Sequence, residues 1–232
     1  MEYVGNKDTW FFRFVKKIMK IFVRKPKVIN LNGGLEENAI YISNHVFSLA
    51  PVKHELYFPI EFKFWGTHEM ALTWKQRWNY LANEYFYVKH GNKFLAVLLA
   101  TLSFPFVTIF YNGIKLIPTY PNGRMLKTIK DSADYLSNGK SIIIFPENAK
   151  DGYKDKLTEY FAGFLTLAKH YYKKTNHNIK IFNMYFRRQD NTLIIDKCTD
   201  IETILNDGRD FKIIANEFKD KANELAKIQP NN

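Results

Sequence analysis

The sequence predicts an α/β fold: a central, mostly parallel mixed sheet flanked by helices, with an N-terminal basic amphipathic helix. Three observations predict it. Short apolar runs bounded by turn residues, such as Ser141-Ile142-Ile143-Ile144-Phe145, have the character of interior parallel strands. Longer segments with helical spacing alternate with these runs, which places helices on the faces of a sheet. Ahead of them all, residues 1–30 thread cations through aromatic and aliphatic side chains.

Composition sets the frame. The chain has 232 residues, 46% of them hydrophobic, enough for one sizeable core, and its 25% charged content is that of a folded chain. Lys+Arg is 34 against Asp+Glu 23, a net charge of +11. That excess favours anionic partners: nucleic acid, phosphorylated substrates or an acidic membrane leaflet. Aromatic residues make up 16%, which suits a packed core or a membrane boundary. Cys198 is the sole cysteine, which excludes an internal disulfide and a cysteine-rich zinc site and fits a reducing compartment. Its expected place is a buried apolar position near a strand end.

Thr9–Val23 reads as an amphipathic helix, with Trp10, Phe11, Phe14, Ile18, Ile21 and Phe22 set among Arg13, Lys16, Lys17 and Lys20, and Pro26 closing it. The cations interrupt the apolar pattern, unlike the separated regions of a cleaved secretory signal. A helix of this kind suits a membrane surface or packing on its own domain, since both need an apolar face. Residues 1–30 are therefore expected to be a basic membrane-docking helix and 31–232 the α/β domain.

Asn30–Asn38 is a turn region around Gly33 and Gly34. Ala39–Ser43 reads as a buried strand, with Asn44 and His45 just past its carboxyl end. Phe94–Ile114 carries no charge and is long enough to cross a bilayer, but Pro105 interrupts it. The expectation there is a helix over Lys93–Phe104, ended by the proline and buried or half-embedded. Arg124–Ser137 reads as a helix closed by Asn138-Gly139, followed by a strand at Ser141–Phe145. A helix over Leu157–Lys174, strands at Ile179–Phe186 and Leu193–Ile195, and one or two helices over Ile204–Lys227 complete the chain.

Two segments carry polar residues directly after an apolar strand: Ile42-Ser43-Asn44-His45 and Ile144-Phe145-Pro146-Glu147-Asn148. In open α/β sheets ligands collect beyond the carboxyl ends of strands, so His45 and Glu147 are expected to face one crevice. No H-E-x-x-H, cysteine-based zinc spacing, G-x-G-x-x-G or Walker loop occurs, and no metal site is expected.

These residues resemble the glycerolipid acyltransferase family, whose best-known members are the lysophosphatidic acid acyltransferases. The family's first block, a strand followed by N-H-x-x-x-x-D-P, is matched by Asn44, His45 and Pro51. Its F-P-E-G block is matched by Phe145, Pro146 and Glu147, with Gly163 in the later helix. Gly113, Ile117 and Pro118 echo the G-x-I-P-V-x-R block, Ile181–Tyr185 holds the place of a strand that has a central proline in the family, and Gly66–Met70 is similar to a K-x-E-L block. The resemblance covers about Ile40 to Phe186. Three positions depart from it: Ala50 stands for the motif aspartate, Asn148 for the F-P-E-G glycine, and Pro121 for the arginine, with Arg124 the nearest basic residue.

The resemblance implies an O-acyltransferase in which His45, as general base, takes the proton of a lipid hydroxyl that attacks an acyl thioester. Asn44, Phe145, Pro146, Glu147, Asn148 and Arg124 are then the expected substrate-binding residues. The co-substrate is acyl-CoA or an acylated carrier protein, with no resident cofactor. Ala50 cannot orient the imidazole, which leaves three readings: Glu147 or Glu55 takes over that role, the fold has little activity and binds lipid or a partner, or the alanine is an introduced substitution. The expected partners are an anionic membrane surface, an acyl thioester and a lipid acceptor, at the cytoplasmic face of the membrane. Nucleic acid is not expected, since no RNA- or DNA-binding motif accompanies the charge.

Overall fold

The structure is a computed structural model that describes residues 9–71, 73–114, 116–120, 123–148 and 154–229. In chain order the helices are α1 (Trp10–Phe22), α2 (Leu49–Tyr57), α3 (His68–Ala71), α4 (Trp74–Tyr80), a π-helical stretch (Leu81–Phe86), α5 (Tyr87–His90), α6 (Lys93–Ile114), α7 (Met125–Ser137), α8 (Gly163–Thr175), α9 (Ile201–Asp207) and α10 (Phe211–Leu225). The strands are β1 (Lys27–Asn30), β2 (Ala39–Ser43), β3 (Phe62–Thr67), β4 (Ile117–Thr119), β5 (Ser141–Ile144), β6 (Lys180–Arg187), β7 (Thr192–Ile195) and β8 (Thr199–Asp200). The expected mixed α/β architecture, with its mostly parallel sheet and N-terminal helix, is what the chain adopts.

The chain forms two compact units. The larger takes in Met19–Phe62 and the chain from Ile129 onward. Its sheet runs β1-β7-β6-β2-β5, with β8 also paired to β6. β1 pairs β7 in parallel, β2 pairs both β5 and β6 in parallel, and β6 pairs β7 and β8 antiparallel. All of β2 and β5 is buried, as their unbroken apolar runs require of strands covered on both faces. On one face Tyr41 stacks on Phe182 at 4.7 Å and meets the edge of Phe58, just past α2, at 5.0 Å. The Asn183 amide donates to the Phe218 carbonyl of α10, and Phe164 of α8 meets Phe218 at 5.4 Å.

The smaller unit takes in the chain up to Ile18 together with Lys63–Thr128. It holds the parallel pair β3–β4, with Trp65 opposite Ile117, and a helical cluster around buried Met70, Leu81, Ala82 and Ala100. Thr73 and Gln76 close a capping box on α4. Buried Arg77 donates to the Met70 carbonyl at 2.9 Å and to Asn112 Oδ1 at 3.1 Å.

Several local expectations are corrected. Pro105 does not end α6, which runs for 22 residues to Ile114. The bond lost at the proline is offset by anchoring of the later turns, where Arg77 grips Asn112 and Phe12 packs at the edge of Phe110. Nor is α6 a core helix, since Phe94, Leu102 and Phe106 are 81%, 63% and 75% exposed. The helix expected from Leu157 starts at Gly163, because Glu159–Phe161 instead run beside the loop after β5. β1, β3 and β4 carried no clear strand pattern; their partners create them. Pro121 lies outside the described residues.

Within the smaller unit Phe12 is buried, and a Cβ added to Gly113 would collide with its ring. Gly113→Val is expected to destabilise the protein by about 1–3 kcal/mol by overpacking, and to speed tryptic cleavage within α1. Adding Phe12→Ala to that variant restores part of the stability, measured by urea unfolding.

Candidate active site

β2 and β5 are parallel neighbours with Ile42 opposite Ile144, so the loops that leave them start from the same edge of the sheet. The loop after β2 carries Asn44 and His45, and the loop after β5 carries Phe145 to Asn148. Glu147 Oε1 accepts a hydrogen bond from the His45 backbone N–H at 2.6 Å and ties the loops together. The Phe145 ring meets the His45 ring edge-on at 4.7 Å. The two loops therefore meet at one edge of the sheet.

Each loop is anchored in turn. The Asn44 side chain, 1% exposed, donates to the Phe186 carbonyl at 2.9 Å and accepts from the Phe186 N–H at 2.6 Å. Both ends of that amide are used on β6, so it fixes the loop in place. On the other side the Pro146 carbonyl accepts from Phe161 N–H at 2.7 Å, and Asn148 donates to Glu159 through backbone (3.1 Å) and side chain (2.8 Å). Glu147 thus lies opposite buried Tyr160.

The anchors hold a turn the residues would not choose. Val46 and Phe47 have φ of 43° and 57°, a left-handed region costly for a β-branched residue. The strained turn delivers the chain into α2, whose first turn has no acidic residue and contains fully buried Ala50. A methyl group therefore occupies the place that the resemblance gives to aspartate.

Burial dominates the electrostatics. It lowers the His45 pKa to about 4, opposed by the Phe47 backbone, so the imidazole is neutral at pH 7. It raises the Glu147 pKa to about 7, opposed by the His45 N–H bond. Glu147 Oε1 spends that bond on the His45 backbone rather than on its imidazole. Glu55, the other carboxylate considered for that role, exerts its charge on Tyr135.

From the sequence His54, adjacent to Glu55 and so not sharing a helix face with it, is expected to hold no metal, and no role at the site is expected of it. It lies one helical turn after Ala50, on the same face of α2. Its Nε2 is 3.1 Å from Ser43 Oγ, and burial, then the His45 charge, pushes its pKa to about 3. The signal was available in the i, i+4 spacing from Ala50. Arg124, expected with these residues, belongs to the smaller unit and lies over the Tyr120 ring at 4.5 Å.

Glu147 has its folded-state pKa raised, so its contribution to stability is present below about pH 4.5 and is lost as pH rises through about 7. His45 and His54 are lowered, and their contributions are present above about pH 6.5 and are lost as pH falls through about 4 and 3. Glu147→Gln keeps an acceptor for the His45 N–H. It is expected to gain stability over the parent chain as pH rises from 4.5 to 8, read as the shift in urea midpoint at each pH.

No protein-family model matches the chain, and no curated protein matches it. Among solved structures it is similar to the crystal structure of the 1-acyl-sn-glycerophosphate (LPA) acyltransferase PlsC from Thermotoga maritima. The TM-score is 0.54 at 12% identity, covering 96% of this chain and 81% of that one. The likeness is one of fold: this chain has the fold of an acyltransferase.

Proposed function

We propose that the chain is an O-acyltransferase that moves an acyl group from a thioester to a lipid hydroxyl at a membrane surface. The observation that carries this reading is the 2.6 Å bond between Glu147 and the His45 N–H, which brings the loops of the acyltransferase-like motifs to one edge of an acyltransferase fold.

In the proposed reaction neutral His45 accepts the hydroxyl proton as the hydroxyl oxygen attacks the thioester carbonyl. A tetrahedral oxyanion forms and collapses, the C–S bond breaks, and the imidazolium returns its proton to the departing thiolate. The products are an ester and a free thiol. The acyl donor is acyl-CoA or an acylated carrier protein. Phe145, Pro146, Glu147 and Asn148 border the reacting groups, while Asn44 holds the base's loop to β6. The resemblance assigns Arg124 to the acceptor's head group.

A second reading, a weak or inactive enzyme of this fold that binds lipid or a partner, is favoured by Ala50. An alanine at that position supplies no charge to stabilise the imidazolium, and a base with a pKa near 4 has little pull on an alcohol proton. The loss of the orienting aspartate costs a serine triad on the order of 10⁴-fold in turnover.

The membrane part of the proposal rests on α1 and α6. At 3.6 residues per turn Trp10, Phe11, Phe14, Ile18, Ile21 and Phe22 share one arc of α1, and all are exposed. Arg13, Lys16, Lys17 and Lys20 share another, and buried Phe12 faces the smaller unit. Packing on its own domain therefore accounts for only part of this helix. A bare apolar arc beside a cationic one suits an anionic bilayer surface. Phe94, Leu98, Leu102 and Phe106 form a further exposed stripe at four-residue intervals on α6. The membrane face is the cytoplasmic one, in keeping with a lone cysteine.

Three variants test these assignments. His45→Ala abolishes transfer from a labelled acyl thioester to a lysophospholipid. Ala50→Asp raises the His45 pKa, read by imidazole NMR, and increases turnover at least tenfold; unchanged turnover with a raised pKa would count against His45 as the base. Phe14→Glu weakens flotation with phosphatidylcholine–phosphatidylglycerol vesicles about tenfold or more, given roughly 1.5–3 kcal/mol for a buried Phe. Equal binding to neutral vesicles would remove the electrostatic half of the proposal.

A further inference from the structure

Within the larger unit, beneath the segment joining α1 to β1, a cavity of about 180 Å³ opens between α2 and the sheet. Val28, Phe186, Leu193 and Ile195 give it an apolar surface. A dry cavity of about 150 Å³ is large enough to take benzene, so this one has room for a length of hydrocarbon. Of the candidate active-site cluster only His54 lines it; His45, Phe145 and Glu147 do not. The space is therefore distinct from the place where the reacting atoms would meet.

Its charge is one-sided. Among the described residues Lys25 and Lys53 line the cavity and no acidic side chain does. Lys53 is only 6% exposed. Its ammonium donates to the Arg24 carbonyl at 2.6 Å and lies 5.7 Å from the Phe186 ring centroid, both uncharged partners. Burial, then the charge of Arg24, lowers its pKa. A buried cation beside the Arg24 charge, bonded to a carbonyl and in no ion pair among the described residues, is costly, and an anion beside it would relieve that cost. Lys25 is exposed next to it and would receive the same anion.

We propose that this cavity binds one hydrocarbon chain with an anionic head, the chain against Val28, Phe186, Leu193 and Ile195 and the head at Lys53 and Lys25. A free fatty acid and one chain of an anionic phospholipid share this chemistry. The site is independent of acyl transfer: its occupant is held, not reacted.

Dodecanoate and dodecyl phosphate, titrated into the full chain below their critical micelle concentrations, are expected to bind saturably, one per chain, by calorimetry. Neutral dodecyl maltoside binds about tenfold more weakly. Lys53→Met lowers affinity for both anions about tenfold, and Lys53→Arg restores it. Val28→Trp fills the mouth from an exposed position on edge strand β1 and abolishes binding with the circular dichroism unchanged. Solvent extraction of the purified full chain then separates the sources: fatty acid or anionic phospholipid recovered at about one per chain, and depleted from Val28→Trp, each supports the site and names its occupant. No saturable binding of either anion, or binding that survives both Lys53→Met and Val28→Trp, overturns the proposal.

Discussion

Between β2 and α2 the backbone turns through Val46 and Phe47, both at positive φ, and everything at the candidate site rests on keeping that turn in place. Two such residues in succession cost of order 1–3 kcal/mol each. The turn persists because it is clamped from both sides. Asn44 is bonded at both ends to the Phe186 backbone, and Glu147 holds the His45 N–H. The clamps come from β6 and β5, the strands that flank β2, so the parallel register of the sheet sets the position of His45.

The same burial that fixes the loop sets its chemistry. Without a carboxylate at position 50, desolvation controls the His45 proton and leaves the imidazole neutral over the physiological range. Glu147, partly desolvated, is poised near pH 7, so the clamp itself titrates in the physiological range. A protonated Glu147 is a poorer acceptor for the His45 N–H. Loop position and local charge are coupled through a single hydrogen bond.

The exposed apolar surface is set by its own contacts. In the smaller unit Phe12 closes on Gly113, which turns one side of α1 inward and leaves Trp10, Phe11 and Phe14 bare. α6 likewise commits Ala96 and Ala100 to its own unit and leaves Phe94, Leu98, Leu102 and Phe106 outside. In the larger unit the segment after α1 is held to α2 by Lys53 and by Tyr57, whose hydroxyl donates to the Val23 carbonyl.

The sequence by itself determined the strands whose partners are interior. The apolar runs 39–43 and 141–144 admit only burial on both faces, and the residues just beyond them, Asn44, His45 and Glu147, were bound to reach a sheet edge. It also determined the amphipathic character of α1, because helical periodicity is local. Tertiary structure decided what depends on partners distant along the chain. β1, β3 and β4 are short and unpatterned and exist through their neighbours; α6 continues through Pro105 because Arg77 and Phe12 hold its far end; and the Glu147–His45 bond joins residues 102 positions apart. Local pattern fixes which residues must be buried, but only the folded chain fixes which groups they meet, and so which protons they hold.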